Sequence, residues 1–328
     1  MGKLFSFRYA LLISILLLSI SSYGFVKAYF PTQNKSDNPT IQQSQDTITE
    51  SSLITIPPLL HGEKVINVLG TNISLGESTE SIINKLGSPS RIAKTEMDFS
   101  YYIYNNNYSK LLFIAIGDNQ VVGFYTDSID FDYLGITSGC SLDEVNRILE
   151  MDYDMNSVLT HTTDTYTIYI LLDEIGTQGV TGIFLLGADV NEAEYTSEVI
   201  RDVELMVYDL TNSIRRRNNI PLLSWSSSAA KASRKHSIDM AENRFFDHYG
   251  SYNKSPGDRL KEEGIHYQSI GENIIAGYGT AIFSSHAWFN SPEHRENILN
   301  KDYRSLGVGF TYQEDSIYKT YITQKFFR

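Results

Sequence analysis

Five of the seven histidines in this 328-residue chain follow residue 198: His236, His248, His266, His286 and His294. A neutral imidazole can ligate a metal or act as a base, and a nearby carboxylate can orient it or complete a coordination shell. Gly271-Glu272-Asn273-Ile274 supplies such a carboxylate, with an amide beside it, at a loop-to-strand junction. In Ser291-Pro292-Glu293-His294-Arg295-Glu296-Asn297-Ile298, Ser291 reads as a helix N-cap and Pro292 as the first helical residue. His294 then sits at the third position, where unsatisfied amide donors and the helix dipole favour an uncharged ring. The residues alone leave two readings open, a metal or acid-base site and a set of histidines buried as hydrogen-bonded scaffold. No H-E-x-x-H, C-x-x-C or G-x-S-x-G pattern occurs, so the zinc-protease, redox and hydrolase-elbow routes have no sequence support.

The elements that must position these groups follow from periodicity. Val199, Val203, Val207, Leu210 and Ile214 form an amphipathic stripe ending in Arg215-Arg216-Arg217, which reads as a solvated helix end. A second helix is expected over 227 to 243, placing His236 inside it and His248 just beyond. A third is expected over 256 to 263, stopped by Gly264. Residues 306 to 312 and 317 to 326 read as two strands joined at Gln313-Glu314-Asp315.

In this order and spacing the segments resemble the CAP superfamily (cysteine-rich secretory protein, antigen 5, pathogenesis-related) in its disulfide-free bacterial form. The pieces are Asn212-Ser213-Ile214-Arg215, Pro221-Leu222-Leu223-Ser224-Trp225, His236-Ser237-x-Asp239-Met240-Ala241, Phe246-x-His248, Arg259-Leu260, Gly271-Glu272-Asn273-Ile274, the Trp288 to Leu299 segment and Gly307-Val308-Gly309. The resemblance implies an α+β fold, an alpha-beta-alpha sandwich over 198–328, with a cleft lined by two histidines and two acids. His248 and Glu272 match the first histidine and first acid, and His294 the second histidine. The second acid falls at Ser291, so Glu293 replaces it only if its side chain reaches the cleft. His236, Asn273 and Arg295 are expected as cleft or supporting residues. Some family members bind divalent metal, here zinc or magnesium through His248, His294 and Glu272, and others bind lipids.

Upstream, Ile73-x-x-Gly76-x-Ser78-x-x-x-Ile82-x-x-x-Leu86 reappears, shifted along the chain, as Ile136-x-x-Gly139-x-Ser141-x-x-x-Val145-x-x-x-Leu149. Each copy reads as a capped short helix followed by a strand hairpin. Residues 63–192 are therefore expected to be a duplicated helix-plus-strand domain, similar to the domain preceding CAP modules in membrane-anchored proteins of Gram-positive bacteria. Residues 31–62 read as a polar linker. Residues 1–30 carry Lys3 and Arg8 before an uncharged run over 9–26, which reads as a signal-anchor, with a cleaved signal peptide as the alternative. Cys140 is alone, so no intramolecular disulfide can form.

The net charge of −12 argues against nucleic acid as a partner. Residues 198–328 hold 17 Lys and Arg against 16 Asp and Glu, so the acidity belongs to the front of the chain. The expected protein is outward-facing and membrane-tethered or secreted, binding a lipid, glycan, peptide or divalent metal in the cleft. The alternative is a metal-assisted hydrolase working through His248, Glu272 and His294.

Overall fold

The computed structural model describes Lys64–Arg328, which form one unit. The signal-anchor and linker expectations lie outside these residues. Among the described residues no helix is long and apolar enough to cross a membrane.

The N-terminal module runs β1 (Val65–Val68), β2 (Thr71–Ser74), α1 (Thr79–Leu86), β3 (Arg91–Lys94), β4 (Ser100–Tyr104), β5 (Leu112–Gly117), β6 (Gln120–Thr126), β7 (Phe131–Tyr133), β8 (Ile136–Thr137), α2 (Leu142–Leu149), β9 (Val158–Thr162), β10 (Tyr166–Leu172) and β11 (Val180–Gly187). Its large sheet has the order β3-β4-β5-β6-β11-β10-β9 and its small sheet β2-β1-β7-β8. The repeat in the sequence becomes a repeat in space. The Ser78 side chain caps α1 and that of Ser141 caps α2, the latter in a reciprocal capping box with Glu144. The Gly76 and Gly139 amides donate at 2.8 Å to Val121 O and Val180 O, and the amides of those two valines donate back to Glu77 O and Cys140 O. The copies meet where β6 pairs with β11 and β1 with β7, and Ile82 and Val145 drop from the two helices into one core.

The C-terminal module runs α3 (Ser197–Arg217), β12 (Ser224–Trp225), α4 (Ser227–Glu242), α5 (Pro256–Glu262), β13 (Ile270–Ala276), α6 (Ala281–Phe289), α7 (Pro292–Leu299), β14 (Ser305–Tyr312) and β15 (Thr320–Phe327). The sheet order is β12-β14-β15-β13, with α4 and α5 on one face and α3, α6 and α7 on the other, an alpha-beta-alpha sandwich. Strand alternation sorts the polar groups between the faces. Glu272 and Lys325, paired across β13 and β15, point toward α4, while Asn273 and Gln324, one residue along each strand, point toward α3 and α7.

Two expectations change here. Arg215 is fully buried rather than solvated, donating to the carbonyls of Pro221, Ile298 and Asn300, and Arg217 pairs with Asp127 at 3.0 Å. The last strand begins at Thr320, because Ser316 donates to Gln313 O and Lys319 adopts φ +61°, leaving Ile317 and Tyr318 exposed in the turn.

Candidate functional site

The two helical layers meet at the free edge of β13. His248 arrives there from the loop after α4, and His294 from the first turn of α7 in the opposite layer. Glu272, buried on β13, faces His248. His248 Nδ1 donates to Glu272 Oε1 at 2.9 Å, and Arg259 Nη2 donates to both carboxylate oxygens, at 3.0 and 2.9 Å. Lys325 Nζ, fully buried, donates to Oε2, and His236 Nε2 lies 3.8 Å from Oε1. Burial alone would raise the Glu272 carboxyl; the His248 hydrogen bond and the charges of Lys325 and Arg259, joined in acid by that of His236, outweigh it and hold it down at about 2. Burial in turn pushes the Lys325 ammonium down to about 8, against the pull of Glu272.

His236 is completely buried, which lowers it to about 4 and keeps it neutral. Its Nε2 donates to Asp247 O at 3.0 Å, so it fixes the loop that presents His248. This is a scaffold role.

On the other side, His294 Nδ1 and Ser291 Oγ lie 2.8 Å apart. Ser291 is the N-cap of α7 by position, yet its side chain makes no capping hydrogen bond and is left to the imidazole. Desolvation, reinforced by the neighbouring His248, lowers the His294 ring, and Glu293 works against this. Asn273 Nδ2 donates to His294 O at 3.1 Å, and Asn297 Nδ2 to Asn273 Oδ1 at 2.9 Å, stitching α7 to β13. Glu293 itself is exposed, acting on His294 through its charge. Arg295 turns away from the cleft, toward Asp173 of the N-terminal module.

With Nδ1 of each ring held by a protein oxygen, Nε2 of both His248 and His294 is left for a ligand, the arrangement that prepares histidine to bind a metal. Glu272 does not complete a ligand set, because its oxygens are committed to His248, Arg259 and Lys325. Among the described residues no three His, Cys, Asp or Glu side chains converge to hold a metal ion. Two nitrogen donors fit zinc, with further positions open to water or ligand, and do not fit magnesium, which demands oxygens. Arg259 and Lys325 were not foreseen as site residues. The signal for Lys325 was a lone cation in the last strand, directly before Phe326-Phe327, and Arg259 stood in a motif segment with no role assigned to it.

The cysteine-rich secretory protein family, CAP, matches residues 208–326, and the CAP-associated N-terminal family matches 75–194. The uncharacterized membrane protein YlbC of Bacillus subtilis (strain 168) is 26% identical over 292 residues, spanning 77% of this chain and 82% of that one. The uncharacterized protein YkwD of the same strain is 38% identical over 107 residues, 33% of this chain and 42% of that protein. A crystal structure of an extracellular protein containing a SCP domain from Bacillus anthracis (strain Ames) superposes with a TM-score of 0.65 at 21% identity, covering 88% of this chain and all of that one. A cysteine-rich secretory protein from Staphylococcus aureus (Mu50) gives 0.64 at 14% identity over 81% and 94% of the two chains.

Proposed function

Because residues 208–326 belong to the CAP family and residues 75–194 to its associated N-terminal family, we propose that this chain is an extracytoplasmic, membrane-associated ligand-binding protein of a bacterial cell envelope. The location rests on the apolar run over 9–26, on the membrane-protein name of YlbC and on the extracellular description of the Bacillus anthracis structure. Binding takes place at the edge of β13, through Nε2 of His248 and His294, with zinc as one of the divalent ions that imidazole ligands suit. One observation carries this reading: each ring has its Nδ1 fastened to a protein oxygen, Glu272 for His248 and Ser291 for His294. Bound there, zinc would offer its remaining positions to a carboxylate, phosphate or hydroxyl of a lipid, glycan or peptide.

The hydrolase alternative needs a general base near neutral pH. Glu272, held at about 2 by His248, Lys325 and Arg259, is too weak a base for that work. Calorimetric titration of zinc into the full chain, beside a His248→Ala/His294→Ala double variant, tests the proposal. Stoichiometric binding in the wild type and none in the variant is expected; absence of binding in both would remove the metal from the reading, and equal binding in both would remove the two histidines.

A further inference from the structure

The stretch that carries Ser291 and His294 is gripped at both ends by the N-terminal module. At one end, Asn290 Nδ2 donates to Leu172 O at 3.0 Å and the Glu174 amide donates to Asn290 Oδ1 at 2.7 Å. At the other, Arg295 Nη1 and Nη2 donate to the two carboxylate oxygens of Asp173 at 2.5 and 3.0 Å. Asp173 stands at the end of β10, 2% exposed, and also accepts from the Thr177 amide at 2.9 Å, so the turn between β10 and β11 aims its carboxylate. The Arg295 guanidinium is flattened against the Phe289 ring, 3.9 Å from its centroid, and donates to Phe289 O, leaving it little freedom.

A second observation points to the same contact. A Cβ at Gly176 would fall 2.3 Å from Asp173 Oδ2 and 2.6 Å from Arg295 Nη2, so the turn approaches the ion pair as closely as a residue without a side chain allows. This fit is built around residues 290 and 295, which flank the site, and none of these contacts involves His248 or Glu272.

We propose that Asp173 is a positioning residue for the cleft: through Arg295, and with Asn290 held beside it, the turn of the N-terminal module fixes the start of α7 and thereby sets His294 against His248. The proposal rests on the reading of these two histidines as the binding pair. Coordination tolerates displacements of only about 0.2 Å, and loss of outer partners that orient a ligand weakens binding about 10- to 100-fold. The N-terminal module is therefore part of the binding machinery.

The test uses the full chain with Asp173→Asn and, separately, Gly176→Ala, which crowds the same ion pair without removing a charge. Amide hydrogen exchange is measured without metal, and binding is measured with zinc and with cobalt(II), whose visible absorption reports coordination geometry. Expected for Asp173→Asn are faster exchange over 291–299, unchanged exchange over 227–242 and 270–276, zinc affinity weaker by about tenfold or more, and an altered cobalt spectrum at saturation. Gly176→Ala should shift each in the same direction, and it decides alone if Asp173→Asn does not fold. Unaltered exchange over 291–299 with an unaltered cobalt spectrum would overturn the proposal. If the wild type binds neither metal, the binding reading fails, while the exchange comparison still decides whether Asp173 positions α7.

Discussion

Glu272 is a single carboxylate with three donors on it and a fourth cationizable group, the His236 ring, nearby, and its chemistry follows from that crowding. Replacing it by Gln keeps the shape but leaves Arg259 and the fully buried Lys325 without a counter-charge, a situation that costs about 3–5 kcal/mol. Urea unfolding of Glu272→Gln at neutral pH should show a loss of that order, and a loss below about 1 kcal/mol would mean that Lys325, already lowered to about 8, gives up its proton instead of staying charged and unpaired. The acid side carries a sign as well. Since the folded carboxyl is depressed to about 2 from an ordinary 4.5, its contribution is complete above about 4.5 and is lost as pH falls toward 2, and the Gln variant should lack this loss. The sequence exposed His248 and His294 because histidine is scarce in the chain, and Glu272 because its segment, like theirs, is distinctive. It hid Lys325, 53 residues from Glu272, because only the register of β13 against β15 makes them neighbours.

At the scale of elements, the sheet admits α4 only where it has no side chains. A Cβ at Gly307 would lie 2.2 Å from Ala229 C, and one at Gly309 would lie 1.9 Å from Arg234 N, in each case against helix backbone that cannot rotate aside. Gly309→Ala must therefore push back the helix that carries His236 and leads into His248, at a cost of about 1–3 kcal/mol. Thermal unfolding should show a clearly lowered midpoint, and an unchanged one would mean that α4 slides along the sheet freely. Helices with an apolar stripe or a cap, such as α3 and α5, were legible, as was the repeat of α1 in α2. Helix α6 was not, because eight of its nine residues are buried and no polar face marks a period of 3.6. The buried Arg215 misled for a related reason: a charge at a helix end suits water equally well until its own following loop brings the Pro221 carbonyl to it and the end of α7 brings those of Ile298 and Asn300.

For the whole molecule, the contact between modules is an interior rather than a hinge. Phe283 packs edge-on against Tyr169 at 5.0 Å and Phe184 at 5.9 Å, Arg91 pairs with Asp209 at 2.6 Å, and Ser213 donates to Asp127 at 2.7 Å. No periodicity in one module could announce this, since it depends on the shape of the other. His286 sits in that interior, donating from Nε2 to Ser157 O at 2.7 Å, with Arg217 and Asp173 as the charges that act on it. Burial lowers it to about 4, the same value that burial gives His236 beneath the cleft. For both rings the unfolded chain takes its proton first, near 6.5, so their neutral-state stability is complete above that pH and is lost as pH falls toward 4, at up to about 1.4 kcal/mol per pH unit for each. His286→Gln keeps an N–H for Ser157 and cannot charge. Between about pH 7 and pH 5 the unfolding free energy of His286→Gln should therefore lose less with acid than that of the wild-type chain, by up to about 1.4 kcal/mol per pH unit, while buried Glu96, raised to about 7, opposes the loss equally in both. Identical slopes would mean that the interface opens to water before His286 titrates, and the contacts of Asp173 and Leu172 with the start of α7 would then be lost in the same opening.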